Sequence, residues 1–91
     1  MASFRLTKPY TMAKDDVRAA AQRLAGRLEQ QHAVHAHWEG DSVRIKGSGI
    51  DAKLSFHDNL VDISVHMGLI ASAFQRPLKA EIQRYLDEMI S

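Results

Sequence analysis

Between residues 34 and 67 the chain alternates apolar and polar residues in four successive runs, and the phase of the alternation limits how the runs can be joined. Val34, Ala36 and Trp38 alternate with His35, His37 and Glu39; Val43 and Ile45 with Arg44 and Lys46. Ile50, Ala52, Leu54 and Phe56 alternate with Asp51, Lys53, Ser55 and His57; Val61, Ile63, Val65 and Met67 with Asp62, Ser64 and His66. Successive side chains of a strand point to opposite faces, so each run predicts a half-buried strand. A slip of one residue would turn a strand's whole apolar set to the wrong face, so each connection must hold an even number of residues. Two-residue turns at Gly40-Asp41, Ser48-Gly49 and Asp58-Asn59 meet that condition in all three hairpins, with residue types that tolerate positive φ.

This register places Trp38 opposite Val43, Ala36 opposite Ile45, Ile45 opposite Ala52, Leu54 opposite Ile63 and Phe56 opposite Val61 on a core face. On the other, solvent-facing side Lys46 falls opposite Asp51, a favourable pair. Arg44 falls opposite Lys53, an unfavourable one unless it is screened or bridged.

The flanks read as one further strand and two helices. Phe4 and Leu6 flank Arg5 in a short alternating segment that ends at Pro9. Thr11 is the expected N-cap of a helix running to about Gln31, with Ala13, Val17, Ala20, Ala21, Leu24, Ala25 and Leu28 on its inner face. Asp15 and Asp16 sit near the positive end of its dipole, and Gly26 is read as a site of tight packing. After Met67 the chain leaves the sheet. Ile70, Phe74, Leu78, Ile82, Tyr85, Leu86 and Met89 recur at helical spacing, and Pro77 calls for either a preliminary turn before the main helix or a kink. The expected order is β-α-β-β-β-β-α, an α+β fold with an antiparallel sheet and both helices on one face. Residues 1–91 form one domain, folding alone or as a small homo-oligomer.

Several function classes recede. The chain has no cysteine, which removes disulfides and thiolate chemistry and fits a reducing compartment. No stretch approaches the roughly 20 apolar residues of a membrane span, and the first residues lack the apolar run of a signal peptide, so the expected location is cytoplasmic. The net charge of +1 includes no basic run, and the aromatics Phe4, Trp38 and Phe56 fall on the core face, with Phe74 and Tyr85 on the last helical stripe. A nucleic-acid partner is therefore not expected.

Five histidines raise a metal site, but His35 and His66 fall three strands apart, about 14 Å, and His37 neighbours Arg44. No metal or other cofactor is expected. Asp51, Ser64 and His66 share a face without forming a recognised dyad, and Gly47-Ser48-Gly49 lies in a hairpin turn with no helix behind it to bind phosphate. No catalytic residue is assigned, and the chain is expected not to be an enzyme. The apolar run from Met67 to Phe74 offers Leu69, Ile70 and Phe74 as a contact surface for a partner.

Taken together, Trp38-Glu39-Gly40-Asp41-Ser42-Val43, Gly47 to Leu54, Met67 to Phe74 and Tyr85-Leu86-Asp87-Glu88 resemble the putative polyhydroxyalkanoic acid system protein family, also called the granule-region family. The resemblance covers roughly residues 4–90. It implies a small bacterial protein encoded among genes for polyhydroxyalkanoate storage, in some cases at the granule surface, with the granule or its proteins as partners. It defines no catalytic residue. The element order is also similar to a reduced helix-grip fold, an analogy that licenses no ligand. Two functions stand: a non-enzymatic accessory protein of polyester storage, and a small module binding an apolar acyl-type ligand between the sheet and the last helix.

Overall fold

A computed structural model of the chain describes residues 2–91. Strand β1 (Ala2–Pro9) leads into helix α1 (Lys14–His32), and β2 (His35–Glu39), β3 (Ser42–Gly47), β4 (Ile50–His57) and β5 (Leu60–Met67) form the meander. A 3₁₀ turn (Ala71–Phe74) then passes directly into helix α2 (Gln75–Met89). The sheet is antiparallel throughout with the order β1-β5-β4-β3-β2, so α1 carries the chain from one edge of the sheet to the other.

The meander has the register required by the alternation: Trp38 pairs with Val43, Ile45 with Ala52, Leu54 with Ile63 and Phe56 with Val61. All three turns contain two residues. Ser48 and Gly49, and Asp58 and Asn59, have positive φ at both central positions, as type I′ turns require, whereas in Gly40-Asp41 only the glycine does. The match of turn twist to strand twist explains why non-glycine residues accept this conformation at Ser48, Asp58 and Asn59.

Strand β1 is longer than the Phe4–Leu6 segment because it pairs along the whole of β5, from Ala2 opposite Met67 to Pro9 opposite Leu60. Pro9 is tolerated at the end of an edge strand, where no neighbour needs its missing N–H. Helix α1 starts later than Thr11 suggests. The amides of Thr11 and Met12 both donate to the Ser91 carbonyl at 2.9 Å, which holds these residues in a bend outside the helix, and Ala13 caps the helix through its backbone alone.

Both helices cover one face. Helix α1 lies against β2, β3 and β4, and α2 lies beside β1. Val17, Leu24, Phe56, Val61, Val65, Met67, Ile82 and Leu86 are all but sealed from solvent. Trp38 and Ala36, on the short edge strand β2, are only partly covered and pack against the rim of this core. Over that rim the Arg18 guanidinium lies 5.4 Å from the Trp38 ring and 5.3 Å from the Phe56 ring while donating to the Gly40 carbonyl at 3.0 Å. Arg18 thus covers apolar rings with its flat face and satisfies its edge on the β2–β3 turn.

Two close packings differ from expectation. Gly26 faces open space, with nothing within 4 Å of where a Cβ would stand, so it is not a contact point. The demand for glycine falls instead on Gly47. There φ is +143°, and a Cβ would meet the Ala33 carbonyl oxygen at 2.8 Å and Val34 Cα at 3.0 Å. Ala33, in the left-handed region at φ 52°, turns the end of α1 down into β2, and Gly47 makes room for that corner.

Candidate functional site

Leu69, Ile70 and Phe74, the residues expected to form an apolar surface, lie where β5 releases the chain. The Gly68 amide donates to the Gly49 carbonyl at 2.8 Å, anchoring the exit beside the β3–β4 turn. The Ser72 amide returns to the Gly68 carbonyl at 2.9 Å, and the Ser72 hydroxyl donates to the Leu69 carbonyl at 2.7 Å. These bonds close a tight loop, with the Gly68 and Leu69 carbonyls both turned back onto Ser72. Ala71 turns inward, and a Cβ on Gly49 would stand 3.3 Å from its methyl. Leu69, Ile70 and Phe74 turn outward, exposed by 80%, 87% and 61%.

Ile70, Phe74 and Met89 therefore do not belong to the inner stripe of the last helix, where their spacing placed them. Leu78, Ile82, Tyr85 and Leu86 fill that stripe, and Ile90, just past the helix, is buried in the position expected for Met89. The reason is the break in helix type. Residues 71–74 form a 3₁₀ turn, and Pro77 occupies the first turn of α2, where its missing N–H costs nothing, so the 3.6-residue phase starts at Gln75. The preliminary turn is the correct alternative for Pro77, and the helix is not kinked by it.

Beside the knuckle runs a shallow groove of about 390 Å³, floored by Ile50, Ala71 and Leu78 and bordered by Phe74 and Ile70. His32, at the end of α1, lies on its far wall. Its Nε2 is buried without a hydrogen-bond partner and stands 3.5 Å from Glu81 Oε1 in the middle of α2. The alternating runs carried no signal for His32, because its role depends on where two helices meet. Three large apolar side chains adjacent in space and open to water are unusual, since burying each would gain about 1.5–3 kcal/mol. Such a cluster is the ordinary mark of a contact surface.

The interior offers little to a ligand. The space between the two helices and the sheet, lined by Leu28, Val34, Ile45, Val65 and Ile82 among others, amounts to about 20 Å³. Sites for small molecules commonly run to hundreds of Å³. An acyl chain would have to displace side chains that already fill the core.

The uncovered face of the sheet is polar. His35, Lys46, Asp51 and His66 form one row across β2, β3, β4 and β5, so His35 and His66 do stand three strands apart. Arg5 holds Asp62 through both carboxylate oxygens, its Nε to Oδ1 at 2.9 Å, and this bonding keeps the Asp62 carboxyl below its usual range. At the β2–β3 turn, Lys14 and Arg18 both bind Asp41, and the Lys14 hydrogen bond is the larger cause of its lowered pKa. No group of three or more metal-ligating side chains converges among the described residues, and no helix there is long and apolar enough to cross a membrane.

Comparison with known families matches residues 5–90 to a family described as putative polyhydroxyalkanoic acid system protein. No curated protein and no solved structure matches the chain, so the helix-grip analogy gains no support from that side.

Proposed function

Because this chain belongs to the putative polyhydroxyalkanoic acid system protein family, we propose that it is a non-enzymatic accessory protein of polyhydroxyalkanoate storage that works in the cytoplasm at the granule surface. The observation that carries the reading is the solvent-facing knuckle of Leu69, Ile70 and Phe74. A polyester granule, or an apolar protein coating it, presents a surface on which these side chains leave water without disturbing the core. Gly68, Ser72 and Pro77 hold the knuckle in place through backbone geometry, so contact needs no refolding.

The reading is tested by cell fractionation. Tagged protein in polymer-accumulating cells is expected to sediment with isolated granules, and the double variant Leu69→Ser/Phe74→Ser, shown by circular dichroism to be folded, is expected to stay in the supernatant. A wild-type protein that remains wholly in the supernatant would sink the proposal. Equal sedimentation of wild type and folded variant would remove the knuckle from it.

A further inference from the structure

We propose that the open face of the sheet carries an oxyanion site of phosphate type, centred between Arg44 and Lys53. The two residues are direct cross-strand partners on β3 and β4, with side chains on the exposed face. Directly opposed residues have Cβ atoms about 4.5–5.5 Å apart, and like charges there are destabilising. Neither cation has a carboxylate within salt-bridge distance among the described residues: Asp51 is met by Lys46 at 4.0 Å, and Asp62 is bound by Arg5. The rows around them hold four cations, Arg5, Arg44, Lys46 and Lys53, against three carboxylates, Glu39, Asp51 and Asp62, a balance of +1 in which Arg44 and Lys53 are the cations without an ion-pair partner among the described residues.

The remaining groups are suited to an anion. A concavity of about 300 Å³ opens over this part of the sheet, lined by Arg44, Lys53, Ser55, Ser64 and His66 together with Asp51 and Asp62. Ser64 pairs with Lys53 across β4 and β5, and Ser55 is two residues along β4 on the same face. Neither hydroxyl takes part in a side-chain hydrogen bond among the described residues, whereas the hydroxyls of Ser42, Ser48 and Ser72 each donate to a backbone carbonyl. Arg44 supplies a planar fork, Lys53 a point charge, and the two serines neutral donors. Donors arriving from three strands suit the several oxygens of a tetrahedral dianion better than the two of a planar carboxylate. A dianion also gives Arg44 and Lys53 the ion-pair partner that neither has among the described residues. The site lies across the sheet from the apolar knuckle and does not depend on it.

The test is a titration of the isotope-labelled protein, followed by amide chemical shifts, with inorganic phosphate at constant ionic strength in chloride. Saturable shifts centred on Arg44, Lys53, Ser55 and Ser64 are expected, with acetate at least about tenfold weaker. Arg44→Gln and Lys53→Gln, made separately, are each expected to weaken phosphate at least about tenfold. Both should melt in chloride at or above the wild-type temperature, because each removes a like-charge opposition. Methyl phosphate tells a free ion from a phosphate ester; tight binding of either fits the site. Shifts scattered over all surface cations, affinity unchanged in both variants, or acetate as tight as phosphate would each overturn the proposal.

Discussion

The Tyr85 hydroxyl of α2 donates to the Ala20 carbonyl of α1 at 2.8 Å across the buried contact between the two helices. Above it, the Arg27 guanidinium lies 5.1 Å from the Tyr85 ring. The two helices are joined through one side chain that is apolar on its body and polar at its tip.

Tyr85→Phe is therefore expected to cost about 1 kcal/mol at neutral pH, seen as a fall of several degrees in melting temperature. Burial raises the Tyr85 pKa in the folded protein. The contribution is full below the ordinary tyrosine range near 10 and is lost as pH rises through the raised folded value. The stability gap between wild type and variant should narrow in alkali; a gap constant with pH would contradict the assignment.

Asp41 gives the opposite dependence. Its hydrogen bond from Lys14, with Arg18 adding to it, lowers its pKa in the fold. The stability it contributes is present above the ordinary aspartate range near 4 and disappears as pH falls through the lower folded value. Urea unfolding of wild type and Asp41→Asn should differ at pH 7 and converge toward pH 2, with the wild type the more stable at neutral pH.

The corner between α1 and β2 predicts two opposite effects of exchanging alanine and glycine. Ala33→Gly relieves a left-handed residue and should stabilise by about 0.5–1 kcal/mol, after the entropy of the added glycine is set against the gain. Gly47→Ala places a methyl 2.8 Å from the Ala33 carbonyl oxygen and should destabilise by more than about 1 kcal/mol. Thermal melts of the two variants should bracket the wild type.

Aromatic residues at the two ends of the fold should also differ. Phe56, wholly buried, is expected to cost about 3–5 kcal/mol when changed to alanine. Leu69→Ser/Phe74→Ser should change stability by no more than about 0.5 kcal/mol, since neither side chain is packed. A large loss in the double variant would mean that the knuckle is part of the core.

The meander was legible in the sequence because its information is local. Alternation sets which side chains share a face, and turn residues set the register, so the Arg44–Lys53 opposition and the separation of His35 from His66 could be read before any coordinates. The family resemblance was legible for a similar reason: it rests on the order and spacing of motifs along the chain. The knuckle residues Leu69, Ile70 and Phe74 were visible as a short apolar run, but their spacing fits a buried stripe equally well. Only the tertiary structure decided that the last helical phase begins at Gln75, which turns Ile70, Phe74 and Met89 outward and Ile90 inward. It alone joined β1 to β5, held Thr11 and Met12 on the Ser91 carbonyl, and brought His32 to Glu81. These relationships connect residues far apart in sequence, and no periodicity within one segment records which distant segment will lie against it.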